Sequence, residues 1–317
     1  MAIPARLRRW LLDGADPSVR HRVLTELLGR PADDPEVVRA RNEIGKVGWA
    51  ARMLHEQHPE GHWDTPGTSA RELYRPKYIA TNWRLLVLSD LGVRGTHPGV
   101  AKALRLYLRK FGGRDGGLGG RSSEVCFTGN ALRMFVRFGR EDEPALERSV
   151  DWLVRHQKAD GGWHCFPSRT GTLDGWEAMS AFAALPPRLR SRAVERSIER
   201  GAEFYLDRRL LREGQGPYAP WLRLHFPAHY YYDYLVGLDF LTALGYGGDR
   251  RIRPALDRLE KARNPDGSWN VDAVHPDTED PKYNPPGPFY PIWLEPPGRP
   301  SRWITTTALL VLKRAGR

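Results

Sequence analysis

The stretch that decides the fold is Gln157-Lys158-Ala159-Asp160-Gly161-Gly162-Trp163. An apolar helical pattern runs directly into it, formed by Leu146, Val150, Leu153 and Val154. Two adjacent glycines can adopt the positive φ angle that ends a helix, and a tryptophan can fold back over the helix end. The stretch therefore predicts a corner between two helices.

The same corner recurs along the chain. Close copies are Gln57-His58-Pro59-Glu60-Gly61-His62-Trp63 and Asn264-Pro265-Asp266-Gly267-Ser268-Trp269, and a diverged copy is Arg114-Asp115-Gly116-Gly117-Leu118. The spacing of about 50 residues predicts a further copy at Arg212–Gly216. A repeat of this length with two helices per unit indicates stacked helical hairpins, which bury their apolar faces only against neighbouring hairpins.

Composition supports one folded domain covering residues 1–317. The chain is 40% hydrophobic, which is ample for a core. It has no apolar run near the roughly 18 residues that cross a membrane, and its N-terminus does not resemble a signal peptide. Two cysteines in 317 residues argue against a disulfide framework, so the expected compartment is the reducing cytoplasm.

The strong positive charge limits the expected partners. The formal net charge is +11, which attracts anions. Arginines are scattered along every predicted helix and are not clustered with exposed aromatic residues, so we expect no nucleic-acid partner. The expected partner is a small hydrophobic substrate carrying a diphosphate or carboxylate. Peripheral membrane contact and a homo- or hetero-dimer remain as further expectations.

Helical patterns alternate with turn signals from end to end, and we predict no strand. Among the predicted helices, one runs from residue 34 to the first corner, one from about 172 to 185, and one from 226 to Gly245. Twelve helices are expected, six outer and six inner, the number that closes an (α/α)6 toroid. A proline-rich loop over 270–300 is too long for an ordinary connection, which predicts a lid or rim.

The Gln…Gly-x-Trp corners at 57–63 and 157–163 resemble the repeat motif of squalene–hopene cyclases and, more broadly, the superfamily of terpenoid cyclases and protein prenyltransferases. This resemblance implies an α/α toroid with a central cavity, whose inner helices begin just after each corner. Two known sites of the superfamily do not match. The Asp-x-Asp-Asp acid motif is absent, with Asp277-Thr278-Glu279-Asp280 the nearest stretch, and neither cysteine has the aspartate two residues before it that the prenyltransferase zinc site requires.

In such a toroid the first residues of the inner helices meet at one opening, which gathers groups suited to acid–base chemistry. A carboxyl group buried among aromatic rings has a raised pKa and can act as a general acid. His229 and Asp233 are four residues apart, so on one helix Asp233 would fix the His229 tautomer. The candidate catalytic residues are Asp174, Glu177, His229, Tyr230 and Asp233.

Aromatic side chains on the inner helices suit a hydrophobic substrate or a cationic intermediate, and arginines there suit an anionic group. The candidate substrate-binding residues are Tyr78, Trp83, Arg121, Trp176, Tyr231, Tyr234 and Trp303.

A zinc site is the alternative use of the same opening. Cys126, Cys165 and His225 would supply three ligands and leave a fourth position for water or substrate. The opposing interpretation is that both cysteines are buried apolar residues and that no cofactor is bound.

The functional expectation is therefore an enzyme of the terpenoid-cyclase or prenyltransferase type, acting by acid-initiated cyclisation, isomerisation or transfer on an isoprenoid-like substrate. The alternatives are the zinc enzyme, a carbohydrate-active toroid and a non-catalytic toroid that binds a lipid or a partner. Fold does not decide between them.

Overall fold

The computed structural model describes residues 3–63, 72–75, 77–212, 218–229, 231–272 and 294–317. The described part of the chain is mostly helical, as predicted. Its α-helices are α1 Ala5–Leu12, α2 Pro17–Arg22, α3 Pro35–Glu43, α4 Gly48–His55, α5 Thr81–Asp90, α6 Pro98–Phe111, α7 Val125–Arg137, α8 Pro144–Arg155, α9 Glu177–Ala184, α10 Arg192–Asp207, α11 Tyr234–Ala243, α12 Arg253–Lys261 and α13 Arg302–Arg314. A π-helical segment, Val23–Leu27, continues α2.

The four repeated corners share one backbone geometry. In each corner the glycine two residues before the tryptophan, or before Leu118 in the diverged copy, has a positive φ, namely +100° at Gly61, +98° at Gly116, +90° at Gly161 and +89° at Gly267. Each corner is closed by a backbone hydrogen bond across five residues, as in His58 N–H to the His62 carbonyl at 2.8 Å and Lys158 N–H to the Gly162 carbonyl at 2.8 Å. The three close copies and the diverged copy therefore build the same turn, which confirms the repeat inferred from the sequence. The copy predicted at 212–216 lies largely outside the described residues.

The corner tryptophans lock the end of one helix to the start of the next. Trp163 Nε1 donates to the Leu153 carbonyl at 2.8 Å, and Trp269 Nε1 donates to the Leu259 carbonyl at 2.7 Å. Both rings are fully buried. A buried indole N–H needs an acceptor, and the last turn of a helix has carbonyls without intrahelical partners. The tryptophan thus caps the C-terminus of the helix through its indole N–H and packs its ring into the core.

The corner glutamines join neighbouring hairpins. Gln157 Nε2 donates to the Gly161 carbonyl at 2.7 Å and to the Ser197 carbonyl of α10 at 2.9 Å. Gln57 does the same with the Gly61 carbonyl at 2.8 Å and the Gly99 carbonyl of α6 at 3.0 Å. One side chain therefore fixes its own corner against the following outer helix, which explains why glutamine begins the motif.

The helices fall into two sets by burial and contact. Successive contacts join α5 to α7, α7 to α9, α9 to α11 and α11 to α13, and α13 also contacts α2. Most side chains of α5 and α13 are buried, whereas α6, α8, α10 and α12 are buried along one face only. A helix buried on most sides lies between other helices, and an amphipathic one covers them.

Four local expectations were wrong. The helix predicted from residue 34 to the first corner is divided into α3 and α4 by glycines with positive φ at Gly45 and Gly48. The helix predicted from about 172 begins at Glu177, after a 3₁₀ turn at Leu173–Gly175. The helix predicted from 226 begins only at Tyr234. Two short strands, β1 Trp269–Val271 and β2 Arg299–Ser301, pair antiparallel where no strand was expected.

Candidate functional site

A cavity of about 730 Å³ lies among α2, α5, α7, α9, α11 and α13, all of which contribute lining residues. Ser18 and His21 come from α2, Ser180 from α9 and Thr307 from α13. A volume of this size accommodates a small-molecule ligand. We take this cavity as the candidate site.

One part of the cavity lining is charged and open to solvent. Its lining includes three pairs of opposite charge: Arg22 with Glu26 at 3.3 Å, Arg314 with Asp239 at 2.8 Å, and Arg137 with Asp90. Glu26, Arg137 and Arg314 are exposed. Exposed ion pairs add little stability, so these groups are available to meet a ligand.

Another part of the lining is aromatic. Phe226 and Trp303 stack with ring centroids 4.3 Å apart, and the Arg22 guanidinium lies 4.9 Å from the Trp303 ring centroid. Trp176 lies in the same lining, with Arg133 5.0 Å from its ring. The cavity therefore combines aromatic rings with charged groups, and Arg22 contacts both parts of the lining.

His225 lies on the cavity wall, held by Asp233. Asp233 is the N-cap of α11, where its Oδ1 accepts from Val236 N–H at 2.8 Å. Its Oδ2 accepts from His225 N–H at 3.0 Å and lies 2.7 Å from His225 Nδ1. One carboxylate thus caps a helix and orients an imidazole.

Two opposing effects set the pKa of His225. Burial by itself lowers the pKa of His225, but the Asp233 carboxylate more than offsets it, so the pKa ends above the ordinary value. The ring also has a 3.4 Å contact between Nε2 and the Ala228 carbonyl. Asp233 therefore orients the His225 ring and favours its protonated form.

His229 does not pair with Asp233, because α11 begins only at Tyr234 and the described residues 225–229 and 231–233 are not helical. His229 has a φ of +47°, and its ring stacks on Tyr78 at 5.1 Å and meets the edge of Trp83 at 5.4 Å. Burial, then the positive charges of His225 and Arg133, lower its pKa to about 3. Its Nε2 has no hydrogen-bond partner among the described residues. His229 is a neutral, buried imidazole inside an aromatic cluster.

Glu177 is a buried carboxyl group at the first turn of α9. It is 1% exposed, and neither carboxyl oxygen has a hydrogen-bond partner in the described part of the chain. Burial, then the neighbouring Cys126 and Asp174, raise its pKa well above the ordinary value, and Arg133 only partly opposes this. Burial therefore favours the protonated form of the Glu177 carboxyl.

The remaining predicted residues are divided between the cavity and other places. Trp176 and Trp303 line it, as Asp233 does. Asp174 lies in the 3₁₀ turn and accepts from Trp221 Nε1 at 2.9 Å. The other substrate-binding candidates are not among the described lining residues, namely Tyr78, Trp83, Arg121, Tyr231 and Tyr234. Tyr230 lies outside the described residues.

The two cysteines meet, but not as the predicted zinc site. Cys126 N–H donates to Cys165 Sγ at 3.2 Å. The contact with the Cys165 thiol, then burial, raises the pKa of Cys126 well above its usual value, so it is a neutral thiol. Within the described ranges, His58, Glu60 and His62 form the group of three ligand-type side chains that come within 4.8 Å, and Cys126, Cys165 and His225 do not. Among the described residues His225 is paired with Asp233 and lies apart from the two cysteines as a ligand group.

Sequence reasoning missed several cavity residues. Phe226, Arg22, Arg133 and Arg137 line the cavity but belong to no motif. The charges on Arg137 and Arg314 sit in the last turns of α7 and α13, where basic residues ordinarily complement the helix dipole. Only the packing of helices distant in sequence brings these ordinary positions together at the cavity.

No family model matches the chain, and no curated protein matches it. Among solved structures, a protein from Actinoplanes is similar over 98% of both chains at 19% identity, with a TM-score of 0.49. The type II terpene cyclase MstE from Scytonema, solved with merosterolic acid A, is similar over 86% of this chain and 96% of its own at 17% identity, with a TM-score of 0.32. A polysaccharide lyase is similar over 94% of this chain and 89% of its own at 12% identity, with a TM-score of 0.49.

Among the described residues, no helix combines the length and apolar character needed to cross a membrane.

Proposed function

We propose that the chain is a single (α/α)6 toroid enzyme that transfers protons on an amphiphilic, isoprenoid-like substrate bound in the cavity. In this proposal α2 with its π-helical extension, α5, α7, α9, α11 and α13 form the inner ring. The chain of contacts between these helices supports the ring, as does their common cavity. The observation that carries the chemistry is the ion pair of His225 and Asp233 on the cavity wall.

The ion pair assigns a role to each nitrogen of His225. Asp233 accepts from Nδ1. Nε2, whose contact with the Ala228 carbonyl is long at 3.4 Å, is in this proposal the nitrogen that exchanges a proton with substrate. The raised pKa favours the imidazolium, and the carboxylate keeps the ring oriented after the proton leaves. A positioned imidazole of this kind contributes roughly 10²–10⁴ in rate as a general acid or base.

Among the expected reactions, isomerisation fits this site better than acid-initiated cyclisation. An imidazolium is far too weak an acid to protonate an isolated carbon–carbon double bond. It is well matched to moving a proton at a carbon or oxygen already activated by a neighbouring carbonyl or leaving group. Of the three reaction types expected for a cyclase-like enzyme, we therefore propose isomerisation.

Two parts of the cavity lining suit the two ends of such a substrate. The stacked Phe226 and Trp303, with Trp176, offer an apolar surface for a hydrocarbon chain. Arg22, Arg137 and Arg314 in the charged part suit an anionic head group, such as a diphosphate or carboxylate. The net charge of +11 would draw the same anions toward the protein.

A carbohydrate-active toroid is the second candidate, favoured by the polar part of the lining. Asp90, Asp239, Ser180 and Thr307 offer hydrogen-bond partners for hydroxyl groups, and Trp303 offers a flat ring for a sugar face. Here too His225 would act as the proton-transferring group.

A substrate panel tests the proposal. The wild-type protein and the Asp233→Asn variant are incubated with prenyl diphosphates, prenyl carboxylates and neutral or acidic oligosaccharides, and products are followed by mass spectrometry and NMR. Conversion of a prenyl compound by wild type, lost in the variant, supports the proposal. Conversion of an oligosaccharide instead supports the second candidate, and binding without conversion of any compound contradicts both.

A further inference from the structure

A second cluster of chemically active side chains lies at the first corner, outside the cavity. His58, Glu60 and His62 each place one ligand-type atom within 4.8 Å of the others. The His58 and His62 rings stack with centroids 4.5 Å apart, and Glu60 Oε2 lies 3.5 Å from His62 Nε2. His62 is buried, while Glu60 is exposed, so the cluster has one face toward the core and one toward solvent.

The other corners show that the turn itself does not need these residues. The positions of His58, Glu60 and His62 are occupied by Lys158, Asp160 and Gly162 in another corner, and by Asn264, Asp266 and Ser268 in a third. All three corners are closed by the same backbone hydrogen bond, which is 2.8 Å long in each. Two histidines are therefore placed where the fold accepts lysine, asparagine, glycine or serine.

We propose that His58, Glu60 and His62 bind a divalent transition metal ion of the zinc type. Two imidazoles and one carboxylate are a ligand set that zinc accepts, with a fourth position left for water or a further ligand. Two ligands of one tetrahedral zinc ion lie about 3.3 Å apart, close to the Glu60–His62 separation. Imidazole nitrogen makes the site unsuitable for calcium or magnesium, which prefer oxygen.

Metal binding requires one local adjustment at His58. Its Nδ1 accepts a long hydrogen bond of 3.2 Å from Glu60 N–H. Coordination through Nε2 exchanges this bond for a metal bond and moves the ring proton to Nδ1. The backbone bonds that hold the corner, including Gly61 N–H to the His58 carbonyl at 2.8 Å, do not involve the rings and remain in place.

A metal ion bound at this corner would lie at the junction of α4, α5 and α6. The corner joins α4 to α5, Gln57 ties it to α6, and Lys102 of α6 donates to the Pro59 carbonyl. An ion held by three side chains of one turn would restrain this junction. The inference is independent of the proposed activity, since the cluster does not line the cavity.

The test uses untagged full-length protein treated with a chelator, titrated with Zn²⁺ by calorimetry and with Co²⁺ by visible absorption. The expected result is one ion per chain with a Kd of micromolar or tighter, and Co²⁺ bands of a four-coordinate site. The variant His58→Lys/Glu60→Asp/His62→Gly copies the residues of the corner at 158–162. It should bind at least about 100-fold more weakly while unfolding at the same temperature as the metal-free wild type.

Two controls make the outcome decisive. His164→Ala removes a histidine near the cysteines and should leave binding unchanged, and so should Cys126→Ser. Loss of binding in Cys126→Ser with retention in the corner variant would overturn the proposal. Absence of binding by the wild-type protein at 100 μM Zn²⁺ or Co²⁺ would overturn it as well.

Discussion

Asp233 Oδ2 lies 2.7 Å from Nδ1 of His225, and the same carboxylate caps α11 through Val236 N–H. Because the pair is almost fully buried, removing the negative charge leaves an imidazolium without its counterion. Breaking a buried ion pair in this way typically costs about 3–5 kcal/mol.

The first prediction concerns the stability contributed by this pair. Asp233→Asn keeps a capping oxygen but not the charge, so we expect the free energy of unfolding to fall by about 3 kcal/mol. Asp249→Asn is the matched control, since Asp249 also accepts from a backbone N–H, that of Arg251, and pairs with the Arg251 side chain at 2.8 Å near the surface. That variant should lose about 1 kcal/mol or less. Equal losses in urea unfolding would contradict the assignment.

The second prediction concerns pH and the same histidine. The folded-state pKa of His225 is raised above its value in the unfolded chain. The stability it contributes is therefore complete below pH 6.5, the ordinary histidine pKa, and is lost as pH rises through the folded-state pKa. The difference in unfolding free energy between wild type and His225→Gln should shrink over this range. His229, whose pKa is lowered in the folded protein, titrates in the unfolded chain of wild type and variant alike, so its contribution cancels from the difference. A difference that is constant with pH would argue against a charged His225.

The third prediction concerns the buried carboxyl of Glu177. Its folded-state pKa is raised, so the folded protein binds more protons than the unfolded chain between the two pKa values. Stability should accordingly fall as pH rises above 4.5, the ordinary glutamate pKa. Glu177→Gln should match wild type within about 0.5 kcal/mol at pH 5 and exceed it by about 1 kcal/mol or more at pH 8. A variant that is less stable than wild type at pH 8 would show that Glu177 is ionised and paired.

The fourth prediction compares two costs of replacing glycine by alanine, namely backbone strain and steric overlap of the added Cβ with a neighbouring helix. Gly161 has a φ of +90°, and an added Cβ would lie 2.3 Å from the Arg200 carbonyl oxygen. Gly139 has a φ of +68° with nothing within 4 Å of an added Cβ. Gly139→Ala should cost about 1 kcal/mol from strain alone, whereas Gly161→Ala should cost about 3–5 kcal/mol. Similar losses of stability in thermal unfolding would mean that Gly161 is not in close contact with α10.

The corners could be predicted from the sequence because each depends on local chemistry. A corner needs a glycine that can adopt a positive φ and a tryptophan that follows, by ten residues, a free carbonyl in the last turn of a helix. The glycine and the tryptophan can both be recognised in the sequence. The diverged copy at Gly116 shows the limits of the rule. Leu118 replaces the tryptophan and has no indole N–H to donate, yet its backbone N–H donates to Thr128 Oγ1 at 2.8 Å, just as that of Trp269 donates to Thr305 Oγ1 at 2.9 Å.

The candidate site could be predicted only in part. Asp233, Trp176 and Trp303 were expected at the site and line the cavity. The pairing of Asp233 was wrong because the segment before α11 was taken as helix, and helical spacing directed the carboxylate to His229. Instead, His225 lies at the start of α11, where it contacts the N-cap residue Asp233. The charged part of the lining could not be foreseen, since Arg137 and Arg314 meet only through the packing of helices distant in sequence.

The most direct test of proton transfer at His225 is solvent deuterium incorporation. The protein is incubated in D₂O with the substrate found in the panel, and the carbon-bound deuterium is located by NMR. The account predicts incorporation at a single position by wild type, with a loss of roughly 100-fold or more in rate for His225→Gln. Unchanged incorporation by His225→Gln, or conversion by wild type without any incorporation, would contradict it.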